Sequence, residues 1–347
     1  MITSLVRRLW TDPRTPARVA RAALYPAEVI YGTVAAVRNE MYDRQLLSAR
    51  ELALPSVSVG NLTVGGTGKT PISGWLVTQL IGRGARPAVV LRDYGGDEGL
   101  VHAALNPGTP VISGGDRVDA VRRARARGAD IAVLDDAFQH RRARREADVV
   151  LLSADDWRHP RRLLPAGAWR ERLSALRRAS IVVATRKAAS IEVVDEMLAV
   201  ADRYAPNIPR GAARLAPGAL VDAHTALTRP LSSLADREIL AVAGVAGPDA
   251  FRHQLEELGA RVRLHAFRDH YAYSTDDALR LARAGEHVGL VVCTLKDAVK
   301  LAPVWPRDGP GLWYLSQQVI LERGRLEMER LVGDLLEARA RYTTTVG

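Results

Sequence analysis

At 347 residues, 47% of them apolar and 25% charged, the chain is long enough for two hydrophobic cores and too apolar for intrinsic disorder. A formal charge of +10 and a pI near 10.1 draw it towards acidic partners, without choosing among nucleic acid, an anionic membrane face and a phosphorylated substrate. The single cysteine, Cys293, excludes an internal disulfide and a cysteine-built zinc cage, and within Val291-Val-Cys-Thr294 it reads as strand filling.

Near the N-terminus, Arg7, Arg8, Arg14, Arg18 and Arg21 precede a mostly apolar stretch from Ala22 to Val37. Pro26 and Glu28 interrupt it, and it falls short of the roughly 20 residues a spanning helix needs. No small-residue cleavage site marks a secretory signal. Basic residues ahead of Leu24, Tyr25, Ile30, Tyr31 and Val34 fit a helix lying in a membrane interface. A helix packed on the following domain fits equally well.

The strongest signal is Pro55-Ser-Val-Ser-Val-Gly-Asn-Leu-Thr-Val-Gly-Gly-Thr-Gly-Lys-Thr-Pro71, a short apolar strand, a glycine-rich loop and a helix start in succession. Gly65, Gly66 and Gly68 let consecutive N–H groups turn towards one point, and Lys69 and Thr70 open the helix. Such a loop binds polyphosphate: the amides take the inner phosphates, Lys69 the outer ones, and the Thr70 hydroxyl a magnesium ion. Thr63 stands where the usual pattern has its first glycine. A plain glycine turn is the alternative, but it has no need of the Lys-Thr pair.

Ile72 to Ile81 keeps helical spacing, and Pro87-Ala-Val-Val-Leu91 reads as a second buried strand, so a strand–helix–strand unit with a parallel sheet begins here. Asp93, Asp97 and Glu98 then emerge on an expected loop at the carboxyl, ligand-binding edge of the sheet. Pro110-Val-Ile112 is a short strand, and a helix runs from Asp116 to the stop at Gly128. Ile131-Ala-Val-Leu134 is an apolar strand ending in Asp135-Asp136, the acidic pair a phosphate-loop enzyme uses for magnesium. Asp135 is assigned to the metal and Asp136 to positioning a water or hydroxyl.

Asp135-Asp-Ala-Phe-Gln-His140, together with the extended phosphate loop, resembles the tetraacyldisaccharide 4′-kinase (lipid A 4′-kinase) family, which carries a strand-ending D-D-x-x-Q-H. Leu91-Arg-Asp-Tyr-Gly-Gly96 is similar to the family's S-R-G-Y-G-G and Gly96-Asp-Glu98 to its G-D-E-P. Gly115-Asp-Arg117, Leu163-Leu-Pro-Ala-Gly167 with Arg170-Glu171, Asp269-His-Tyr271 and Lys296-Asp-Ala-Val-Lys-Leu301 also match. The family's long insert between its S-R-G-Y-G-G and G-D-E-P elements is missing, because the two are fused around Gly96. Gly99, Asp93 and Leu295 replace a proline, a glycine and a glutamate.

Arginines crowd the middle of the chain: Arg141, Arg142, Arg144, Arg145, Arg158, Arg161, Arg162, Arg170, Arg172, Arg177 and Arg178. Most read as solvated faces, and Arg170 is the first choice for an existing substrate phosphate, a task suited to the guanidinium fork. Asp148-Val-Val-Leu-Leu152 and Ile181-Val-Val-Ala184 read as further strands. Between Pro206 and Pro230 the pattern breaks up. A smaller α/β unit follows, with a strand from Glu238, a helix from Phe251 to Leu258, a strand from Arg261 to Ala266, a helix from Thr275 to Ala284 and a strand from Val288 to Thr294.

The expected fold is therefore α/β: a three-layer, P-loop NTPase-type sheet domain with a second, smaller α/β domain. The expected boundaries are a basic amphipathic segment at 1–50, the kinase domain at 51–220, a linker at 221–237 and the C-terminal domain at 238–347. The resemblance implies ATP- and Mg²⁺-dependent phosphorylation of the 4′-hydroxyl of an acylated glucosamine disaccharide 1-phosphate, as a step of lipid A biosynthesis. Thr63, Val64, Gly65, Gly66, Thr67, Gly68, Lys69 and Thr70 would hold ATP, and Thr70 with Asp135 the magnesium. Catalysis falls to Lys69, Asp136 and Asp97, the last aided by His270, which in the family faces the phosphate loop across an interdomain cleft. Asn61, Glu98, Arg117, Gln139, His140, Arg170 and Glu171 would contact the acceptor. The resemblance further implies a monomer without nucleic-acid partners, cytoplasmic and peripheral at the anionic inner membrane face. A P-loop switch ATPase is the rival class, and a small-molecule kinase with another acceptor the nearest alternative.

Overall fold

The computed structural model describes residues 4–12, 14–92 and 96–346. In chain order its elements are α1 (Ser4–Thr11), α2 (Thr15–Ala23), α3 (Tyr25–Asp43), β1 (Ser56–Asn61), α4 (Lys69–Ile81), β2 (Pro87–Leu91), α5 (Asp97–Leu105), β3 (Val111–Ser113), α6 (Arg117–Ala126), β4 (Ile131–Asp135), β5 (Ala147–Ser153) and β6 (Ile181–Arg186). They continue with α7 (Ile191–Tyr204), β7 (Arg210–Asp222), β8 (Thr228–Arg229), β9 (Glu238–Ala243), α8 (Pro248–Glu257), β10 (Arg261–Ala266), α9 (Thr275–Glu286), β11 (Val291–Thr294), α10 (Leu295–Leu301), β12 (Leu312–Arg323) and α11 (Arg325–Val346). Asp93, one of the expected acidic loop residues, lies outside the described residues.

The chain divides into two units: one from the described residues of 1–93, 106–215 and 319–347, the other from those of 94–105 and 216–318. In the first, seven strands lie in the order β3-β2-β4-β1-β5-β6-β7, and the pairs from β3 to β7 are parallel. A parallel sheet must be covered on both faces, and alternate residues divide accordingly. Val57, Val59, Ile131, Val133, Val149 and Leu151 pack with Ile72, Leu76 and Leu80 of α4 and with Met328, Val332 and Leu335 of α11. Ala88, Val90, Ala132 and Leu134 meet Val118 and Val121 of α6 on the other face, while Val150, Leu152 and Val182 meet Val194 and Met197 of α7. These are the three layers expected.

In the second unit β10-β9-β11-β12 form a parallel sheet. Phe251 and Leu255 of α8 cover one face, and Leu281 of α9 and Leu301 of α10 the other. The expected linker at 221–237 and the expected C-terminal domain to residue 347 differ from this division. The segment from Pro206 to Pro230 contains the long strand β7, hidden in the sequence by Pro217 and Gly218. The described residues of 319–347 belong with the first unit, because the spacing Met328, Leu331, Val332, Leu335 and Ala338 gives α11 one buried stripe.

At the N-terminus, Trp10 is buried and its indole N–H donates to the Pro165 carbonyl (2.9 Å). Arg21 donates to the carbonyls of Leu9 (2.6 Å) and Asp12 (2.8 Å), satisfying acceptors that the end of α1 leaves open. Helix α3 lies on the same unit by one face. Glu28 takes the Arg162 guanidinium and the Leu163 N–H, the Tyr31 hydroxyl donates to the Arg170 carbonyl, and Asn39 donates to Glu171. Its other side leaves Tyr25, Val29, Ile30, Val34 and Val37 exposed.

Replacing fully buried Leu335 by alanine should lower the unfolding free energy of the first unit by about 2–5 kcal/mol. Leu326→Ala, at an exposed position of the same helix, should stay within about 0.5 kcal/mol of the parent in denaturant titration.

Candidate active site

Strand β1 delivers Asn61 to the sheet's carboxyl edge, and the next seven residues turn into α4. Gly65 and Gly68 have φ of 138° and 84°, where a side chain is strained, and a Cβ on Gly68 would lie 2.5 Å from the Leu215 side chain. Gly65 and Gly66 have no atom within 4 Å of where a Cβ would stand, so the loop is open on that side. Gly68 caps α4 without a side-chain acceptor, leaving the first N–H groups of the helix for an anion. The loop is braced from within: Asn61 Nδ2 donates to Thr67 Oγ1 (2.8 Å) and Thr185 Oγ1 to the Thr67 carbonyl (2.9 Å). The Val64 N–H, expected in the phosphate cradle, instead donates to the Ala168 carbonyl (2.7 Å), and Thr63 bridges Trp169. The Thr67 N–H likewise donates to the Gly65 carbonyl (3.1 Å), which leaves Gly65, Gly66, Gly68, Lys69 and Thr70 as the candidate cradle.

Beside β1, β4 ends at Asp135, and the chain turns sharply at Asp136 (φ 50°), whose N–H donates to the Val59 carbonyl. Arg170 places its fork on the Asp136 carboxylate at 2.9–3.1 Å, and Lys69 Nζ stands 3.7 Å away. Burial pulls the Asp136 carboxyl upward in pKa, but Lys69, then Arg170, then Arg117 outweigh it and hold the group below the usual range. Gln139 completes the ring, accepting from Arg170 (3.2 Å) and donating to the Asn61 carbonyl (2.8 Å). The expected residues Asn61, Lys69, Asp136, Gln139 and Arg170 are thus brought together.

Two expected acceptor contacts, Arg117 and Glu171, have other partners. Arg117 is only 2% exposed and donates to the carbonyls of Gly114 (2.9 Å) and Asp135 (3.2 Å), so it fixes the acidic strand end from inside. Glu171 is buried between Arg178 (2.6 Å) and Asn39 (2.7 Å), where it ties α3 to the segment carrying Arg170. His140 is half-buried; burial first, then the charges of Arg117 and Arg145, lower its pKa to about 4. Arg145, read as part of a solvated run, instead donates to the carbonyls of Phe138, His140 and Ala143 and pairs with Asp148.

Asp97 differs from the sequence expectation in both setting and domain. It opens helix α5 rather than lying on a loop, is 4% exposed, and belongs to the same unit as His270. His270 sits at φ 56° with its N–H on the Gly244 carbonyl, and its Nδ1 lies 2.8 Å from Asp97 Oδ2. Glu98 is the half-exposed second residue of α5. Sequence reasoning missed Thr185, just past the expected strand Ile181–Ala184, and Leu215, inside the unread β7, and it assigned no role to Lys300, 3.8 Å from Asp97 Oδ2.

Magnesium suits the donor chemistry of the first unit: the Asp135 carboxylate and Thr70 hydroxyl are hard oxygens at the strand end and helix start. Among the described residues, no group of three or more His, Cys, Asp or Glu side chains could hold a metal alone.

The sequence matches the LpxK family model, described as tetraacyldisaccharide-1-P 4′-kinase, over residues 20–104 and 95–334, two stretches overlapping at the fused glycine motifs. It is 38% identical over 312 residues to the tetraacyldisaccharide 4′-kinase of Anaeromyxobacter dehalogenans strain 2CP-C, covering 82% of each chain. The enzyme of that name from Halorhodospira halophila is 37% identical over 349 residues, covering 94% of this chain and 95% of its own. Among solved structures, LpxK from Aquifex aeolicus in complex with ATP superposes with a TM-score of 0.74 at 28% identity, over 92% of this chain and 99% of that one.

The depressed pKa of His140 gives a pH test. Between about 4 and 6.5 the unfolded chain binds a proton that the native chain does not, so stability falls as pH drops through that window. His140→Gln should therefore lose less unfolding free energy than the parent between pH 7 and pH 5 in paired denaturant titrations.

Proposed function

The chain belongs to the tetraacyldisaccharide-1-P 4′-kinase family, and we propose from that premise which of its residues carry out each part of the reaction. The activity is ATP-dependent phosphorylation of the 4′-hydroxyl of a tetraacylated glucosamine disaccharide 1-phosphate, in lipid A biosynthesis. The observation that carries the assignment is the open glycine loop running into Lys69, with Asp136 of the neighbouring strand end on the same ammonium.

The N–H groups of Gly65, Gly66, Gly68, Lys69 and Thr70 hold the inner phosphates, and Lys69 meets the charge on the transferring group, where electrostatic stabilisation contributes most. Thr70 and Asp135 would hold Mg²⁺, which would supply charge neutralisation to the polyphosphate. Asp136 keeps Lys69 and Arg170 in register. As the oxygen–phosphorus bond forms and the bond to ADP breaks, the proton of the 4′-hydroxyl passes to Asp97, which His270 orients through Nδ1. Glu98, Gln139 and His140 remain candidates for contact with the disaccharide.

The acylated acceptor accounts for the N-terminus. The outward apolar residues of α3, with Arg8, Arg14 and Arg18 exposed beside them in sequence, suit peripheral attachment to the anionic cytoplasmic face of the membrane. Among the described residues no helix is long and apolar enough to cross it.

Purified protein given γ-labelled ATP, magnesium and the disaccharide 1-phosphate should label the acceptor, and Lys69→Ala should abolish the transfer; label released only as free phosphate would overturn the reading. Asp97→Ala and His270→Ala should each slow turnover about 100-fold or more, and the double variant little further, because the two act as one unit. Ile30→Glu with Val34→Glu should weaken partitioning onto anionic vesicles while ATP affinity holds; unchanged partitioning would leave α3 a packing element.

A further inference from the structure

Behind the Asp97–His270 contact lies a buried network that ends on Lys300. At the end of β11, Thr294 caps α10, accepting from the Asp297 N–H (3.2 Å) and donating to Asp297 Oδ2 (2.6 Å). Asp297 is fully buried and also accepts from the Gly244 N–H (3.1 Å) and the Tyr273 hydroxyl (2.8 Å). Three donors therefore fix this carboxylate as part of the scaffold. One helical turn later Lys300 brings its ammonium to 3.9 Å from Asp297 Oδ1, 5.5 Å over the Tyr273 ring and 3.8 Å from Asp97 Oδ2.

Helix α10 packs on α5, the helix that Asp97 opens. Asp97 Oδ2 is shared between His270 and Lys300, while among the described residues Asp97 Oδ1 is buried without a hydrogen-bond partner. A carboxylate inside a protein is costly unless a cation balances it. A lysine held between two aspartates supplies that charge beside the imidazole contact.

We propose that Lys300 is a positioning residue for phosphoryl transfer: standing beside Asp297 and over the Tyr273 ring, its ammonium supplies the charge that lets Asp97 be buried as a carboxylate. The proposal rests on Asp97 being the proton acceptor of the reaction above.

The test compares Lys300→Met, Lys300→Gln, Lys300→Arg, Asp97→Asn and the Asp97→Asn/Lys300→Met double variant in the full chain, with ATP and the disaccharide 1-phosphate. Rates are taken per ATP-binding site, so that loss of folded protein does not enter, and melting temperatures are recorded beside them. Met and Gln should lower kcat about 10- to 100-fold, with KM for ATP within about twofold, and Arg should restore most of the loss. Added to Asp97→Asn, Lys300→Met should cost less than about twofold more, because it acts through Asp97. Near-parental kcat in the Met and Gln variants beside a crippled Asp97→Asn overturns the role of Lys300 alone, as do multiplicative losses in the double variant. A near-parental Asp97→Asn overturns the Asp97 assignment itself and this proposal with it.

Discussion

One carboxylate, Asp136, holds the charged part of the first unit together. It takes Lys69 from the start of α4 and the Arg170 fork from the segment beyond the Leu163–Gly167 turn. Two cations brought near each other without that anion would repel, and their long side chains would spread into solvent. Its leverage comes from the backbone: the left-handed turn at Asp136, with its N–H on the Val59 carbonyl, fixes where the carboxylate stands relative to β1. Asp136 thus aligns the helix start and the arginine before any polyphosphate arrives.

The same economy appears in the arginines. By sequence Arg21 belongs to the basic N-terminal segment, Arg117 to the acceptor contacts, and Arg145 and Arg178 to a mostly solvated run, yet all four do internal tasks: closing a helix end, fixing a strand end, gathering carbonyls of a turn and pairing with buried Glu171. Five N–H donors on a flat group satisfy several backbone acceptors at once, which lysine cannot do. Part of the basic excess is therefore structural, and net charge overstates what is left to attract an acidic partner.

The sheet of the first unit was legible because burial on both faces leaves continuous apolar runs: Pro87–Leu91, Ile131–Asp135 and Ile181–Arg186 differ from the expected strands by at most two residues. The phosphate loop was legible for a different reason, since glycines before Lys-Thr have few other uses. β7 was not, because Pro217 and Gly218 imitate a linker, and α11 was not, because its buried stripe lies among arginines and glutamates. At the site, Asn61, Lys69, Asp136, Gln139 and Arg170, all singled out in the sequence, lie together. The partners of Val64, Arg117 and Glu171 were not legible, since nothing in one sequence distinguishes an N–H or charge aimed at a ligand from one spent on the protein's own backbone. The domain of Asp97 was hidden for a topological reason: a short helix leaves one unit's strand to join the other unit.

That excursion, with the late return of α11, constrains how the protein is made. Synthesis proceeds from the N-terminus, but the nucleotide-binding core needs Met328, Val332 and Leu335 packed with α4, so it stays open until nearly the whole chain has left the ribosome. The helix at Asp97 must likewise wait for residues beyond 216. Neither unit can finish as an early, self-contained product of translation. Nascent chains of this protein therefore carry unfinished apolar surface for most of their synthesis.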